Sequence, residues 1–340
     1  MKALFVNPSG EIYGSEQSML ALLQGAAFTS VVACPGSGTL AQQLRRDGIS
    51  QRDVDFGGPP FRRNPLWHLS LFRRLILLLR SETPDVVIIN LDGNTPLVTL
   101  AALWRSIPLA RFCRFEFAPP ARWIDRWCWR HVDAVICPSI AVREQLRQWL
   151  PLGANTPVHQ IYDSCVDPLA TAADITEFRS RFNLTGKAVV GCVGRLHPDK
   201  RVETVIRAHS QIQKHIPDAH LLVIGGAGSP HEARYEAELR ALSNELNIGT
   251  SVTFTGRLPR TQLPAAYGAM DVCALASATE SFGMVLTEAW RQGVPTVASD
   301  IGGCREISLA SGGGLLAPVD DDTAFASQAS RLLLDRSAAS

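Results

Sequence analysis

The 340-residue chain has eight cysteines, but they are scattered at 34, 113, 128, 137, 165, 192, 273 and 304, with no Cys-x-x-Cys pair among them. That scatter argues against a zinc site and against a disulfide framework, and it points to a reducing compartment. The eight histidines show no metal-ligand spacing. No apolar run is long enough to cross a bilayer, because the greasiest stretch, Leu69 to Leu79, is cut by Arg73 and Arg74. No signal peptide is expected either, since Lys2 is followed only by a short apolar run ending at Asn7. The expectation is a cytoplasmic protein. Ile224-Gly225-Gly226-Ala227-Gly228 follows a strand pattern but lacks the full Gly-x-Gly-x-x-Gly spacing, and Pro230 and His231 come next. That counts against an NAD-dependent oxidoreductase, the rival of a different class.

What is present fits a folded protein of two domains. The length allows two full cores, and 46% hydrophobic with 19% charged residues is an ordinary globular balance. The net charge of +1 hides an asymmetry. Residues 1–162 hold 17 basic and 12 acidic residues, a net of +5, whereas the remainder holds 16 and 20, a net of −4. Six of the seven tryptophans (67, 104, 123, 127, 129 and 149) also lie in the first half, mixed with arginines. The mixture points to an interaction surface there. Arg122, Arg126 and Arg130 recur every fourth residue with Trp123 and Trp127 one step round, which reads either as an interfacial helix or as a solvated arginine face over buried tryptophans.

In the first half, apolar runs at Ala3–Val6, Ser30–Cys34, Asp85–Asn90, Leu109–Phe115 and Ala134–Cys137 read as strands. Helical patterns lie between them, near 15–25, 38–47, 65–81, 95–105, 122–131 and 140–150. Strand alternating with helix predicts a parallel, doubly wound α/β sheet, which binds ligands beyond the carboxyl ends of its strands. After a last strand at Pro157–Ile161, the segment YDSCVDP places the domain boundary near Asp163 to Asp167. The alternation then restarts with a strand at Ala188–Val193 and a helix through Val202, Val205, Ile206, His209 and Ile212. This gives domains 1–165 and 166–340.

The most informative stretch, ALASATESFGMVLTEAWRQGVPTVAS (274–299), reads as a strand end, a turn at Gly283, an amphipathic helix and a second strand. Glu280 and Glu288 bracket the helix start, where the amides of Phe282, Gly283 and Met284 suit an anion. Carboxylates beside an anion site make sense for a ligand that also carries hydroxyls, as a nucleotide sugar does. The turn GRLHPDK adds Gly194 to let the chain turn and Pro198 at an early helix position, with Arg195 and Lys200 as two cations for a diphosphate.

Two glutamates with seven residues between them, and Phe-Gly just after the first, resemble the signature of the retaining family 4 glycosyltransferases (glycosyltransferase group 1) of the GT-B fold. The flanks FTGRLPRTQLPAAYGAMDVCALAS, GVPTVASDIGGCREI and GGGLLAPVDD resemble the family's, and GRLHPDK matches its Gly-Arg, four residues, Lys element. Gly14-Ser15-Glu16 is similar to its Gly-Gly-Ala-Glu loop, and YDSCVDP to its connector without the Asn-Gly. The resemblance implies two Rossmann-like domains facing across a cleft, the first for the acceptor and the second for the donor. It implies metal-independent transfer of a sugar from a UDP- or GDP-sugar to a hydroxyl of a glycan or lipid-linked acceptor, with no cofactor and no nucleic acid partner.

In family terms Glu280 holds the sugar hydroxyls, Arg195 and Lys200 neutralise the diphosphate, and Glu288 accepts from the ribose. Gly14, Gly194, Leu258, Phe282, Gly283 and Met284 complete the donor contacts. Where the family often has a histidine at the fifth strand end, Arg114 and Glu116 stand instead, as acceptor contacts or as an inert surface pair. The basic, tryptophan-rich first half suits an anionic or lipid-linked acceptor and leaves a peripheral place on the membrane open. Asp53-Val54-Asp55 resembles the Asp-x-Asp metal site of the other major glycosyltransferase fold but reads better as a strand-end pair. A same-fold nucleotide-sugar epimerase is the alternative within the fold.

Overall fold

The computed structural model describes residues 1–57, 64–92, 94–114, 122–153 and 155–334. It forms two compact units, Met1–Ser164 and Cys165–Ser340. In the first, seven parallel strands, β1 (Lys2–Val6), β2 (Thr29–Cys34), β3 (Ser50–Asp53), β4 (Val86–Ile89), β5 (Leu109–Phe112), β6 (Ala134–Cys137) and β7 (Val158–Gln160), lie in the order β3-β2-β1-β4-β5-β6-β7. Six helices connect them: α1 (Gly14–Gln24), α2 (Thr39–Arg46), α3 (Pro65–Glu82), α4 (Thr95–Trp104), α5 (Trp123–Arg130) and α6 (Ile140–Trp149). The sheet is covered on both faces, so β1 is apolar on both. Ala3 and Phe5 pack with Met19 of α1 and Leu40 of α2, while Leu4 and Val6 pack with Leu75 of α3, Val98 of α4 and Leu146 of α6. Helix starts follow local chemistry. Asn64 accepts from the Trp67 amide at 2.8 Å, with Pro65 in the first turn of α3, and Ser139 accepts from the Val142 amide at 3.2 Å.

The second unit opens with α7 (Ala172–Arg181). It then alternates β8 (Ala188–Val193), α8 (Val202–Ile212), β9 (Ala219–Ile224), α9 (Pro230–Glu245), β10 (Val252–Gly256), α10 (Leu263–Gly268), β11 (Val272–Leu275), α11 (Met284–Arg291), β12 (Thr296–Ser299), α12 (Gly302–Ser311), β13 (Gly314–Ala317) and α13 (Asp322–Leu334). Its six-stranded parallel sheet has the order β10-β9-β8-β11-β12-β13. In both sheets the chain builds outward from a first strand and then crosses to that strand's other side, at β1/β4 and at β8/β11. The loops leaving these strands are where such a sheet receives a ligand.

Two features depart from the sequence reading. β3 (Ser50–Asp53) is a strand that the apolar pattern did not mark, because its residues Ser, Gln, Arg and Asp sit at a sheet edge and three of them face water. Pro198 starts a separate 3-10 turn (Pro198–Lys200), and α8 begins only at Val202, after Arg201 at φ +47°.

Candidate active site

The second unit assembles a charged cluster on the loops that leave β8 and β11. Gly194 follows β8, its amide donating to the Ile224 carbonyl at 2.9 Å. The chain then runs through Arg195 into the 3-10 turn that carries Lys200. Arg195 and Lys200 border one crevice, too narrow to hold a water, with Gly194, Ile224 and Leu275. After β11, the Ala278 amide donates to the Asp199 carbonyl at 2.8 Å, which ties the two loops together beside Lys200. Lys200 Nζ therefore meets Glu280 Oε2 at 2.5 Å, and Ser277 Oγ donates to the same oxygen at 3.1 Å. Both side chains keep some exposure, 27% and 17%. Arg195 is more open at 59%, with Nε 3.5 Å from Glu232 Oε1, and Glu232 is itself buried.

The turn around Glu280 is held from both sides. Gly283 takes φ +97°, a left-handed conformation that suits glycine, and it reverses the chain into α11. Gly303 of α12 crosses so closely that a Cβ there would stand 2.4 Å from the Ser281 carbonyl oxygen and 2.5 Å from Phe282 Cα. Its amide donates to the Glu280 carbonyl at 3.3 Å. Phe282 fills the apolar cluster beneath, with Leu275, Leu286 and Ala298.

Glu288, just over one turn into α11, has different company. Its Oε2 accepts from the Tyr267 hydroxyl at 2.5 Å and its Oε1 meets Arg260 at 2.8 Å. Arg260 also reaches Asp167 at 2.5 Å. Burial, and then the Glu288 charge, push the Tyr267 phenol well above its usual range, so it stays a donor. For Arg260, burial works against the charge, but Glu288 and Asp167 together hold it above its ordinary value. A depression in the second unit lies at the opposite, amino ends of β8, β9 and β11, beside Lys187, Asp218 and Asp271, where Arg179 is paired with Asp271 at 3.0 Å. It is remote from these strand ends.

In the first unit the strand ends hold a buried polar cluster. Gly14 is the first residue of α1, and Glu16 caps that helix by accepting from the Tyr13 amide at 3.0 Å. Asn7 donates to Glu16 at 3.3 Å, and Asn90 donates to Asn7 at 2.8 Å. Arg114, just past β5, is buried over the Phe112 ring and pairs with Asp163 at 3.0 Å. Burial draws the Arg114 pKa down, against Asp163 and Glu16, and burial raises the Asp163 carboxyl despite Arg114 and the Ser18 hydroxyl that donates to it. Asp53 and Asp55 serve local backbone, accepting from the Gly36 amide at 2.6 Å and the Gly57 amide at 2.8 Å.

Comparison with known proteins decides the family. The model for glycosyl transferases group 1 matches residues 174–340, and that for glycosyltransferase family 4 matches residues 17–163. The chain belongs to the group 1, family 4 glycosyltransferases. It is 28% identical over 242 residues to a GDP-mannose-dependent alpha-(1-6)-phosphatidylinositol monomannoside mannosyltransferase of Mycolicibacterium smegmatis, covering 68% of this chain and 58% of that one. A D-inositol 3-phosphate glycosyltransferase of Nocardia farcinica is 32% identical over 182 residues, 50% of this chain and 40% of that one. The chain thus spans about half the length of the curated relatives it matches. HepE of Anabaena, solved with UDP and glucose, superposes with a TM-score of 0.86 over 100% of this chain and 91% of that chain at 23% identity. That likeness shows the GT-B fold.

Against the family's pattern, the structure brings Gly194, Arg195, Lys200 and Glu280 together, with Phe282, Gly283 and Met284 forming the turn beside them. Glu288 lies on the buried side of α11 with partners of its own, and Leu258 packs partly buried in the loop after β10. Gly14 and Arg114 belong to the first unit, and Glu116 lies outside the described residues. Of the arginine and tryptophan stripe, Trp123 is exposed, Trp127 half-buried and Trp129 buried. Sequence reasoning missed Ser277, Asp167, Arg260, Tyr267 and Asp163. Asp167 and Asp163 stand in the connector and the others in the quoted flank, but no spacing singles them out.

Proposed function

We propose that the protein is a retaining, metal-independent glycosyltransferase that moves a sugar from a UDP- or GDP-sugar to a hydroxyl of a glycan or lipid-linked acceptor. The donor would bind the second unit and the acceptor the first, with Arg114 and Glu116 as acceptor contacts. The observation that carries this reading is the Lys200–Glu280 pair at 2.5 Å on the loops after β8 and β11, with Arg195 bordering the same crevice as Lys200. A lysine ammonium has three donors, so Lys200 can keep Glu280 and still meet a phosphate oxygen. The bond from the anomeric carbon to the diphosphate breaks as the acceptor oxygen bonds to that carbon from the same face, and the acceptor proton passes to the departing diphosphate oxygen. Charge grows on the diphosphate during this step, and Arg195 and Lys200 would meet it. Glu280 orients the sugar through its hydroxyls, and Glu288 receives the ribose. The relatives' names, which mention GDP-mannose and UDP, support a nucleotide sugar as donor.

The test is thermal stabilisation and turnover across a panel of UDP- and GDP-sugars, with and without EDTA. A native-state ligand raises the melting temperature in proportion to ln(1 + [L]/Kd). One donor should stabilise the protein and be consumed equally in EDTA. Loss of turnover in EDTA that manganese restores would overturn metal independence, and inversion at the anomeric carbon of the product would overturn retention.

A further inference from the structure

α3, α4 and α5 lie side by side over one face of the first sheet, and α4 packs against both neighbours. Leu71, Leu75 and Leu78 of α3, Val98 and Ala101 of α4, and Trp129 of α5 turn inward. Helical spacing then fixes what turns outward. On α3 it is Leu66, Leu69 and Leu77 with Arg73 and Arg80 between them; on α4 it is Leu100, Leu103 and Trp104. On α5 it is Trp123 with Arg126 and Arg130. Trp104 meets Phe72 edge-on at 6.5 Å, so the α3 and α4 faces are continuous. These helices show seven large exposed apolar side chains, whereas the described residues of the second unit show four, Val166, Leu169, Leu309 and Leu334.

The charges without an ion-pair partner on this face are of one sign. The carboxylate of α3, Glu82, is buried and held by Lys2 at 2.8 Å and Arg52 at 2.6 Å. α4 has no acidic residue, and Asp125 of α5 faces Arg122 at 3.8 Å. Among the described residues none of Arg73, Arg74, Arg80, Arg105, Arg126 and Arg130 has an ion-pair partner. A helix face meant only for water looks different in this same chain. α9 pairs Arg234 with Glu238 at 3.1 Å and Arg240 with Glu236 at 2.8 Å.

We propose that the outer faces of α3, α4 and α5 form one docking surface for an anionic lipid bilayer. Leucine and tryptophan enter the boundary between headgroups and acyl chains, while the surrounding arginines meet lipid phosphates. None of the three helices is long and apolar enough to span, so the protein lies on the surface. A second copy of the chain is a poor occupant. A two-fold contact would set these uncompensated arginines against themselves. The inference goes beyond the α5 stripe, because most of the apolar surface is on α3 and α4, and it does not depend on the proposed reaction.

The experiment is co-sedimentation of the full chain with phosphatidylglycerol–phosphatidylcholine vesicles and with phosphatidylcholine alone, without donor. Binding should require phosphatidylglycerol and weaken as salt rises, because the Debye length shrinks. Arg73→Gln and Arg126→Gln should each lower partitioning about fivefold. Leu100→Ser with Trp104→Ser should lower it at high salt as well, and Arg234→Gln on α9 should leave it unchanged. Brominated lipid should quench tryptophan fluorescence, less so in Trp104→Phe. Equal binding to both vesicle types overturns the proposal, as does unchanged binding by the arginine variants with an unaltered thermal melt. So does a concentration-dependent dimer that shields Trp104, or binding to a soluble polyanion with none to vesicles.

Discussion

In the first unit the outward helices α3 to α5 show tryptophan, leucine and unpaired arginine, and the strand-end ion pair Arg114–Asp163 is buried. In the second, α9 covers its outside with matched Arg–Glu pairs, and the strand-end pair Lys200–Glu280 stays partly open. Both units are doubly wound parallel sheets with the same kind of switch point. The architecture therefore does not decide which unit does what. The difference lies in what each leaves open: arginines without an ion-pair partner over an outer surface in the first, a partly exposed ion pair at the loops after β8 in the second. Function on a shared fold is carried by such sites.

The sharpest way to break this comparison is to remove the open pair. Lys200→Ala should lower kcat by roughly 10²- to 10³-fold, the size of a lost oxyanion donor. Glu280→Gln should reduce kcat at least as much while thermal stabilisation by the free nucleoside diphosphate stays near wild type. Because the two groups touch at 2.5 Å, the double variant should lose much less than the product of the single losses. Steady-state kinetics on folded variants reads all three. If Glu280→Gln keeps its kcat, the second unit's cluster is not the reacting site.

Much of this was legible because apolar runs such as 188–193 and the 274–299 stretch carry their own pattern, and the strand and helix alternation followed from it. β3 was not, because an edge strand of four polar residues buries almost nothing and leaves no apolar alternation. Arg114 read as surface because arginine usually is, yet Asp163 at the far end of the unit supplies a partner that lets it be buried. The setting of Glu288 was invisible for a similar reason. Tyr267 is 21 residues before it, and Arg260 links it to Asp167 across 93 residues, so only the folded sheet brings them together.

That setting changes what a variant of Glu288 reports. Glu288→Ala would raise donor KM if the ribose is lost, by roughly tenfold or more for a hydrogen bond to a charged group. It would also leave the buried Tyr267 hydroxyl without its acceptor. Unfolding should therefore become easier by about 1–3 kcal/mol, with Arg260 still held by Asp167 at 2.5 Å. Glu288→Gln keeps an acceptor for Tyr267 and should recover most of the stability but not the KM. Denaturant melts and donor KM measured on both variants separate the two losses. Equal stability of Glu288→Ala and wild type would mean that the Tyr267 contact is not part of the folded state.

The smallest effect sets the two units apart by pH. The second unit buries His209, against Ser251 at 3.1 Å, and His220, between Thr253 at 2.8 Å and Lys187 at 3.2 Å. Burial lowers both from 6.5 to about 4, helped for His209 by His220 and for His220 by Lys187. The described residues of the first unit include no buried histidine. A base whose folded pKa is depressed contributes stability above its unfolded pKa and loses it as pH falls towards the folded value. The window is therefore pH 6.5 down to about 4. At pH 5.5 His209 alone should cost on the order of 1 kcal/mol. In the first unit Glu82 is held below 4.5, first by the hydrogen bond from Lys2, so its loss comes only at lower pH. Asp163, raised by burial, has the opposite sign and loses its contribution as pH rises. Between pH 6.5 and about 4.5 acid should thus weaken the second unit and spare the first. Amide hydrogen exchange, corrected for intrinsic rates, should show falling protection in β8 and β9 with β1 and β4 steady. Equal loss in both units would show that His209 and His220 do not stay neutral in the fold.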